Sequence, residues 1–280
     1  MRTATTGTAL RSTPAVAEVT CLILLLVSFC ASVVGAVCGI GGGVIIKPVL
    51  DALGVAGVST ISFLSGCTVF SMSCYSVGKA ILAGERDIEG GTGTPLALGA
   101  AIGGVAGKAL FSLLRSMAAQ PERVGGYQSV CLALVTLATL AYTVFQPRIK
   151  THRVESRAVC VVIGLLLGVM SSFLGIGGGP INLVVLYFFF SMSTKTAARN
   201  SLYIILISQA ASLFTTLFTH SVPEFEPLWL VVMVGGGILG GMAGRGLNQK
   251  LNEGQVAMLF QCLILTIIGI SCYNAVRYLT

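Results

Sequence analysis

Charged side chains make up only 10% of this chain, while 55% of it is hydrophobic and the mean hydropathy is +0.91. A soluble domain carries about 25% charged residues. So few charges cannot cover a water-facing surface. That excludes an ordinary soluble enzyme, a nucleic-acid-binding protein and a disordered chain. Carboxylates are scarcest, with 10 Asp and Glu against 17 Lys and Arg. Asp51 is the one clear acid inside an apolar run. Cation carriers and proton relays in membranes usually rest on buried carboxylates or histidines. Only His152 and His220 are present, so a cation substrate is not expected and no proton carrier is evident. Sodium coupling is not expected either. An anion leaving a negative-inside cell gains about 2.3 kcal/mol per charge per 100 mV, so export can run on potential alone.

Other absences narrow the reading. The nine cysteines include no C-x-x-C pair, and neither histidine lies near a cysteine pair, so no metal centre is expected. They read as small buried apolar residues. The alternative is a substrate-facing thiol at Cys38, beside a glycine loop. No paired carboxylates, H-E-x-x-H, G-x-S-x-G or Ser/His/Asp set appears, so catalysis has no support and no cofactor is expected. The basic residues fall mainly in short segments between apolar runs, as membrane-surface anchors do. They form no aromatic-interleaved cluster for nucleic acid.

What is present is a series of apolar runs at 19–38, 57–83, 94–114, 126–145, 158–174, 198–219, 227–247 and 255–276. Each is long enough to cross a bilayer, which takes roughly 20 helical residues. The expected fold is all-α, a polytopic helical membrane protein of about eight spans. Thirty-five glycines against eight prolines suit closely packed membrane helices. Arg2 and Arg11 ahead of the first run imitate a secretory signal. That run leads into a motif that recurs later, so it is expected to belong to the fold. Two further apolar pieces, 44–53 and 180–192, are too short to span. Each follows a glycine break, the pattern of broken or re-entrant helices in transporters.

Gly39-Ile40-Gly41-Gly42-Gly43 returns as Gly175-Ile176-Gly177-Gly178-Gly179, 136 residues on. At that offset Thr60 matches Thr196 and Ser65 matches Ser201. One residue later in register, Gly103, Gly107 and Lys108 match Gly240, Gly244 and Arg245. Collinear matches at a nearly constant offset imply a duplicated chain. The expected organisation is a tail at 1–18, a first half at 19–145, a basic linker at 146–157 and a second half at 158–280. Each half is expected to form a four-span bundle. Matching connections share charge character: 84–90 and 221–227 are acidic, 115–123 and 245–250 basic. Inverted halves should exchange that bias, so the charges lean towards parallel halves; the basic linker, which an eight-span count places opposite the basic 115–123 connection, leaves inverted halves open.

Three successive glycines in apolar surroundings make a poor helix interior but allow positive φ. Their N–H groups can form a concave anion site, aided by the dipole of a helix starting just after. Irregular backbone at membrane depth must face protein or a water-filled cavity. Gly39, Gly41, Gly42 and Gly43, with Gly175, Gly177, Gly178 and Gly179, are therefore candidates for holding a small anion between the loops. Lys47 is the candidate cation; an interfacial snorkelling lysine is the alternative. Ser65, Asn182, Asn200, Ser201 and Gln209 are candidate hydrogen-bonding groups, with interhelical contact as the alternative. Ser62 and Thr68 share a span with Ser65. Gly103/Gly107 and Gly240/Gly244 read as packing pairs, and Lys108 and Arg245 as interfacial anchors. Such glycines serve contacts within and between chains, so a homo-oligomer is compatible with the sequence.

These paired motifs, with Pro48 after the first and Pro180 after the second, resemble the TauE/SafE family of membrane permeases. It is also called the sulfite exporter or 4-toluene sulfonate uptake permease family. The resemblance covers nearly the whole chain after about residue 18. It implies a secondary transporter of a small sulfur-containing or carboxylate anion, such as sulfite, a sulfonate or sulfoacetate. A multi-pass location in a cell membrane, of the bacterial inner-membrane type, goes with it. Val184 stands where a second proline would match Pro48, so the two short helices are expected to differ. A channel-like or structural membrane protein is the alternative.

Overall fold

The computed structural model describes residues 14–84, 91–117, 121–146, 149–174 and 178–279. The described residues form helices and connections, with no strand. In order these are α1 (Pro14–Cys38), α2 (Gly43–Leu53), α3 (Val58–Leu82), α4 (Gly93–Met117) and α5 (Pro121–Phe145). Then follow α6 (Arg157–Leu174), α7 (Gly179–Phe190), α8 (Thr194–Phe218), α9 (Pro227–Lys250) and α10 (Glu253–Leu279). Eight of these are long and apolar enough to cross a membrane, while α2 and α7 are short. The chain is thus a multi-pass membrane protein.

Polarity is distributed as lipid demands. Leu26, Ile102, Leu134, Leu166 and Phe214 are more than half exposed, whereas Ser32, Thr68, Asn200 and Ser201 are fully buried. The solvent of this outer face is hydrocarbon, so apolar side chains cost nothing there. The interior is held by close approach instead. A Cβ at Gly107 would stand 2.5 Å from the carbonyl oxygen of Val169, and one at Gly240 would stand 2.5 Å from that of Phe29. Gly103 and Gly244 meet backbone just as closely, at Leu165 and Val33. Both glycine pairs are therefore packing elements, one joining α4 to α6 and the other α9 to α1.

These approaches also give helix direction. Gly236, Gly240 and Gly244 of α9 face Leu25, Phe29 and Val33 of α1 in rising order, so the two helices run parallel. Gly99, Gly103 and Gly107 of α4 face Val161, Leu165 and Val169 of α6 in the same manner. The α3 hydroxyl of Thr60 donates to Glu224 O at 3.1 Å, just ahead of α9, so α3 starts where α9 starts. We call this the acidic end, after Glu224 and Glu226. The other, basic end holds Lys150, Arg153, Arg157, Lys195 and Lys250. α1 reaches the basic end, where Asn248 Nδ2 donates to Val37 O at 2.6 Å.

Two expectations change here. Parallel halves do not match the helix directions: α1 starts at the acidic end, while its counterpart α6 starts at the basic end. The short helices are the reason. After α1 the chain turns back, and α2 runs on to the acidic end, where Arg277 Nη1 of α10 donates to Ala52 O at 2.6 Å. α7 likewise returns to the basic end, where His152 N donates to Phe188 O at 2.7 Å. The helices α1–α5 and α6–α10 therefore make five legs each, an odd number, and the second set runs opposite to the first. A count of long spans alone misses the return leg. Separate four-span bundles are not seen either. The tightest packing crosses between halves, α1 on α9 and α4 on α6, with α3 beside α8.

Candidate substrate-binding site

The first glycine loop lies between α1 and α2, and its shape needs glycine. Gly39 and Gly41 hold φ of 74° and 71°, in the left-handed region. Gly39 sits against the backbone of Ala198 on α8. Gly41 faces Val69 and Ile205, where a Cβ would meet side-chain carbons at 3.3 and 3.4 Å. Gly42 caps α2 and lies against Ala31, and Gly43 opens the helix. In the second loop, Gly175 and Gly177 lie outside the described residues. Gly178 caps α7 with φ of 128°, and its Cβ position is 2.6 Å from Ile205 Cγ1. Gly179 follows with φ of 56°. The two loops thus approach the same residue. Ile205 is fully buried and Val69 nearly so. Their sequence positions match across the 136-residue offset. Ile205 occupies the space between Gly41 and Gly178.

Open space lies to either side of this apolar crossing. Towards the acidic end is a cavity of about 230 Å³, lined by Lys47, Lys108, Ser65, Gln128, Gln209 and Ser212. Gly43 and Val69 form part of its wall, and among the described residues no carboxylate lines it. Towards the basic end is a cavity of about 190 Å³, lined by Lys195, Arg199, Arg245, Ser76 and Asn248, again without a carboxylate among the described residues. Lys108 and Arg245 stand 137 residues apart and Ser76 and Ser212 136, close to the offset of the two glycine motifs.

Lys47 is held at this depth by acceptors. It is 5% exposed, and its Nζ donates to Gln128 Oε1 at 2.7 Å and to Leu174 O at 3.4 Å. Gln128 is oriented by its own Nε2, which donates to Phe173 O at 2.6 Å. A snorkelling lysine would reach for the interface, and this one is turned into the protein. Lys108 donates to Thr216 Oγ1 across from α4 to α8. It is half-buried and faces the cavity, so the interfacial-anchor reading does not describe it; Arg245, whose Nη1 donates to Ser76 O at 3.3 Å, is placed likewise in the other cavity.

Of the sequence candidates, Gly43, Lys47, Ser65 and Gln209 meet in the acidic-end cavity. Asn182 is buried beside Gly178, behind Ile205, and its Nδ2 has no hydrogen-bond partner. Asn200 and Ser201 are buried on the early turns of α8, and neither lines the two larger cavities. Cys38 is buried in the apolar core and lines neither cavity. Gln128 and Ser212 were not legible, since an isolated amide or hydroxyl in an apolar run carries no spacing signal. Lys108 was legible only through its match with Arg245.

Two polar, cation-bearing cavities on either side of a buried apolar crossing, inside a bundle of eight lipid-crossing helices, are what a membrane transporter requires. The comparisons agree. The model of the family described as "Sulfite exporter TauE/SafE" matches residues 24–271, and the chain belongs to that family. It is also similar to the "Probable membrane transporter protein YunE" of Bacillus subtilis (strain 168). The two are 21% identical over 270 residues, covering 89% of this chain and 95% of that one.

Proposed function

We propose that the protein is a secondary carrier of a small sulfur-containing anion, such as sulfite, a sulfonate or sulfoacetate. We further propose that the anion occupies the acidic-end cavity. One observation carries the reading: among the described residues, Lys47 and Lys108 line a cavity with serine and glutamine side chains and no carboxylate. Two ammonium groups in low dielectric favour an anion, and the amides and hydroxyls suit its oxygens. Gly43 brings the N-terminus of α2 to the same wall, adding the positive end of its dipole. The description of the family supports the sulfur chemistry.

The basic-end cavity serves as the second station, with Arg245 in the place of Lys108. The duplication supports this: inverted repeats give a carrier two related access routes, exchanged by a rearrangement at the crossing. Val69 and Ile205 favour a carrier over a channel, because they close the path between the cavities. The positive-inside rule sets the basic end in the cytoplasm and the acidic end outside, in a bacterial inner membrane.

The test is transport by purified protein in vesicles, with radiolabelled sulfite, methanesulfonate, sulfoacetate and acetate. Saturable uptake that accelerates when unlabelled anion is loaded opposite supports a carrier. Flux that does not saturate points to a channel. Absence of flux for every anion rejects the reading.

A further inference from the structure

We propose that Asp51 is a proton-binding site coupled to the anion cavity, so that a proton travels with each anion. The proposal rests on the anion reading above. It starts from a fault in the hydrogen bonding around α2. Asp51, Ser271 and Asn274 are 9%, 1% and 2% exposed. With Lys47 and Gln128 they line one void of about 10 Å³. Three oxygens there, Asp51 Oδ1, Ser271 Oγ and Asn274 Oδ1, have no hydrogen-bond partner.

The orientation of Asn274 is settled by its Nδ2, which donates to Pro48 O at 3.0 Å. Its Oδ1 is therefore an acceptor. An ionised Asp51 also presents only acceptors. Ser271 has one proton, and as placed its hydroxyl reaches neither of them. A buried acceptor left unpaired is costly, so the void calls for one more donor. A proton on Asp51 supplies a donor at the void that Ser271 and Asn274 also line. A single water is the competing donor, because the void is about the size of one.

The charged surroundings connect this site to transport. Among the described residues, the charged groups acting on Asp51 are Lys47 of its own helix and Arg277 of α10. α3 and α5 bring uncharged Val58, Gly125, Gln128 and Ser129 to the void, α6 brings Leu174, and α1 brings nothing. Lys47 and Gln128 line both the void and the anion cavity. While Asp51 is ionised, its charge offsets that of Lys47. Once Asp51 takes a proton, the Lys47 charge is left for the anion. Proton and anion thus bind cooperatively, and each raises the affinity for the other by the same factor. The balance is simple: one proton leaves water and forms the O–H bond of Asp51, one anion leaves water for the cavity, and no other bond changes. The repeat supports a dedicated role, because Leu183 and Tyr187 stand at the positions matching Lys47 and Asp51. The pair belongs to one half alone.

The test uses Asp51→Asn, which keeps the shape of the acid and cannot ionise. Infrared difference spectra of the anion-free protein across a pH titration should contain a protonated-carboxyl band that this variant lacks. Methanesulfonate remains a monoanion throughout the useful range. Its affinity for the parent protein should fall about tenfold as that band disappears with rising pH. In Asp51→Asn the affinity should stay at the low-pH level. A missing Asp51 band, as expected if a water fills the void, overturns the proposal. So does an equal pH dependence in the variant. If the band is present but methanesulfonate does not bind at any pH, the proton site stands and the sulfonate-carrier reading falls.

Discussion

Ile205 offers the sharpest test of the crossing between the cavities. Replacing it with alanine removes a fully buried side chain that touches both glycine loops. A change of this kind costs about 2–5 kcal/mol, from lost burial and the space left behind. Gly178→Ala perturbs the same place from the second loop. Its new Cβ would stand 2.6 Å from Ile205 Cγ1 and 2.8 Å from Asn182 Nδ2, at a φ of 128°. The overpacking costs about 1–3 kcal/mol, and the unfavourable backbone angle about 1–2 kcal/mol more. In the double variant the Ile205 side-chain carbons are gone, so the collision with them is relieved while that with Asn182 Nδ2 remains, and the added methyl occupies part of the vacated space. The two costs should then fall short of adding by about 1–2 kcal/mol, within the range for residues in contact. Detergent-denaturant titrations of the four proteins measure the cycle. Vesicle leak gives a second readout: Ile205→Ala should leak anion without saturation, and Gly178→Ala should reduce that leak when added to it. Strictly additive costs, with no leak from Ile205→Ala, would refute the placing of Ile205 as the barrier.

Three further outcomes follow from the geometry. Lys108→Gln should weaken anion binding about tenfold, since a hydrogen bond to a charged group contributes about 1.5–3 kcal/mol; its thermal stability should change little, and equilibrium binding with a parallel melting curve checks both. Gly107→Leu should destabilise the protein severely, because even a Cβ meets Val169 O at 2.5 Å; in contrast Gly78→Ala, where a Cβ meets nothing within 4 Å, should be well tolerated in the same melting assay. In a background with the native cysteines replaced, Ser62→Cys should react with an impermeant thiol reagent added outside cells, and Ser76→Cys only with reagent supplied from the cytoplasm. The reverse pattern would invert the proposed orientation.

Much of this architecture is legible in composition and spacing. Eight long apolar runs and two short ones emerge as helices at nearly the expected positions, because backbone groups in lipid must bond within their own helix. The packing role of Gly103, Gly107, Gly240 and Gly244 was legible for a related reason: helices that touch at glycine need small residues one turn apart. The glycine loops could be found because triple glycine suits no helix interior. Direction and neighbourhood were not legible. Whether α2 merely dips or carries the chain back is decided by where its end is held, and Arg277 and Asn274 lie over two hundred residues away. That same return leg makes α6–α10 run opposite to α1–α5. Burial of Lys47 required Gln128 and Leu174 O, and its membership in a cavity required Lys108 from another helix. Ile205 looked like any other core residue until both loops closed on it. Local pattern sets which segments become helices, because helical hydrogen bonds join near neighbours. Cavities are made by side chains distant in sequence, and only the packing of the helices brings those together.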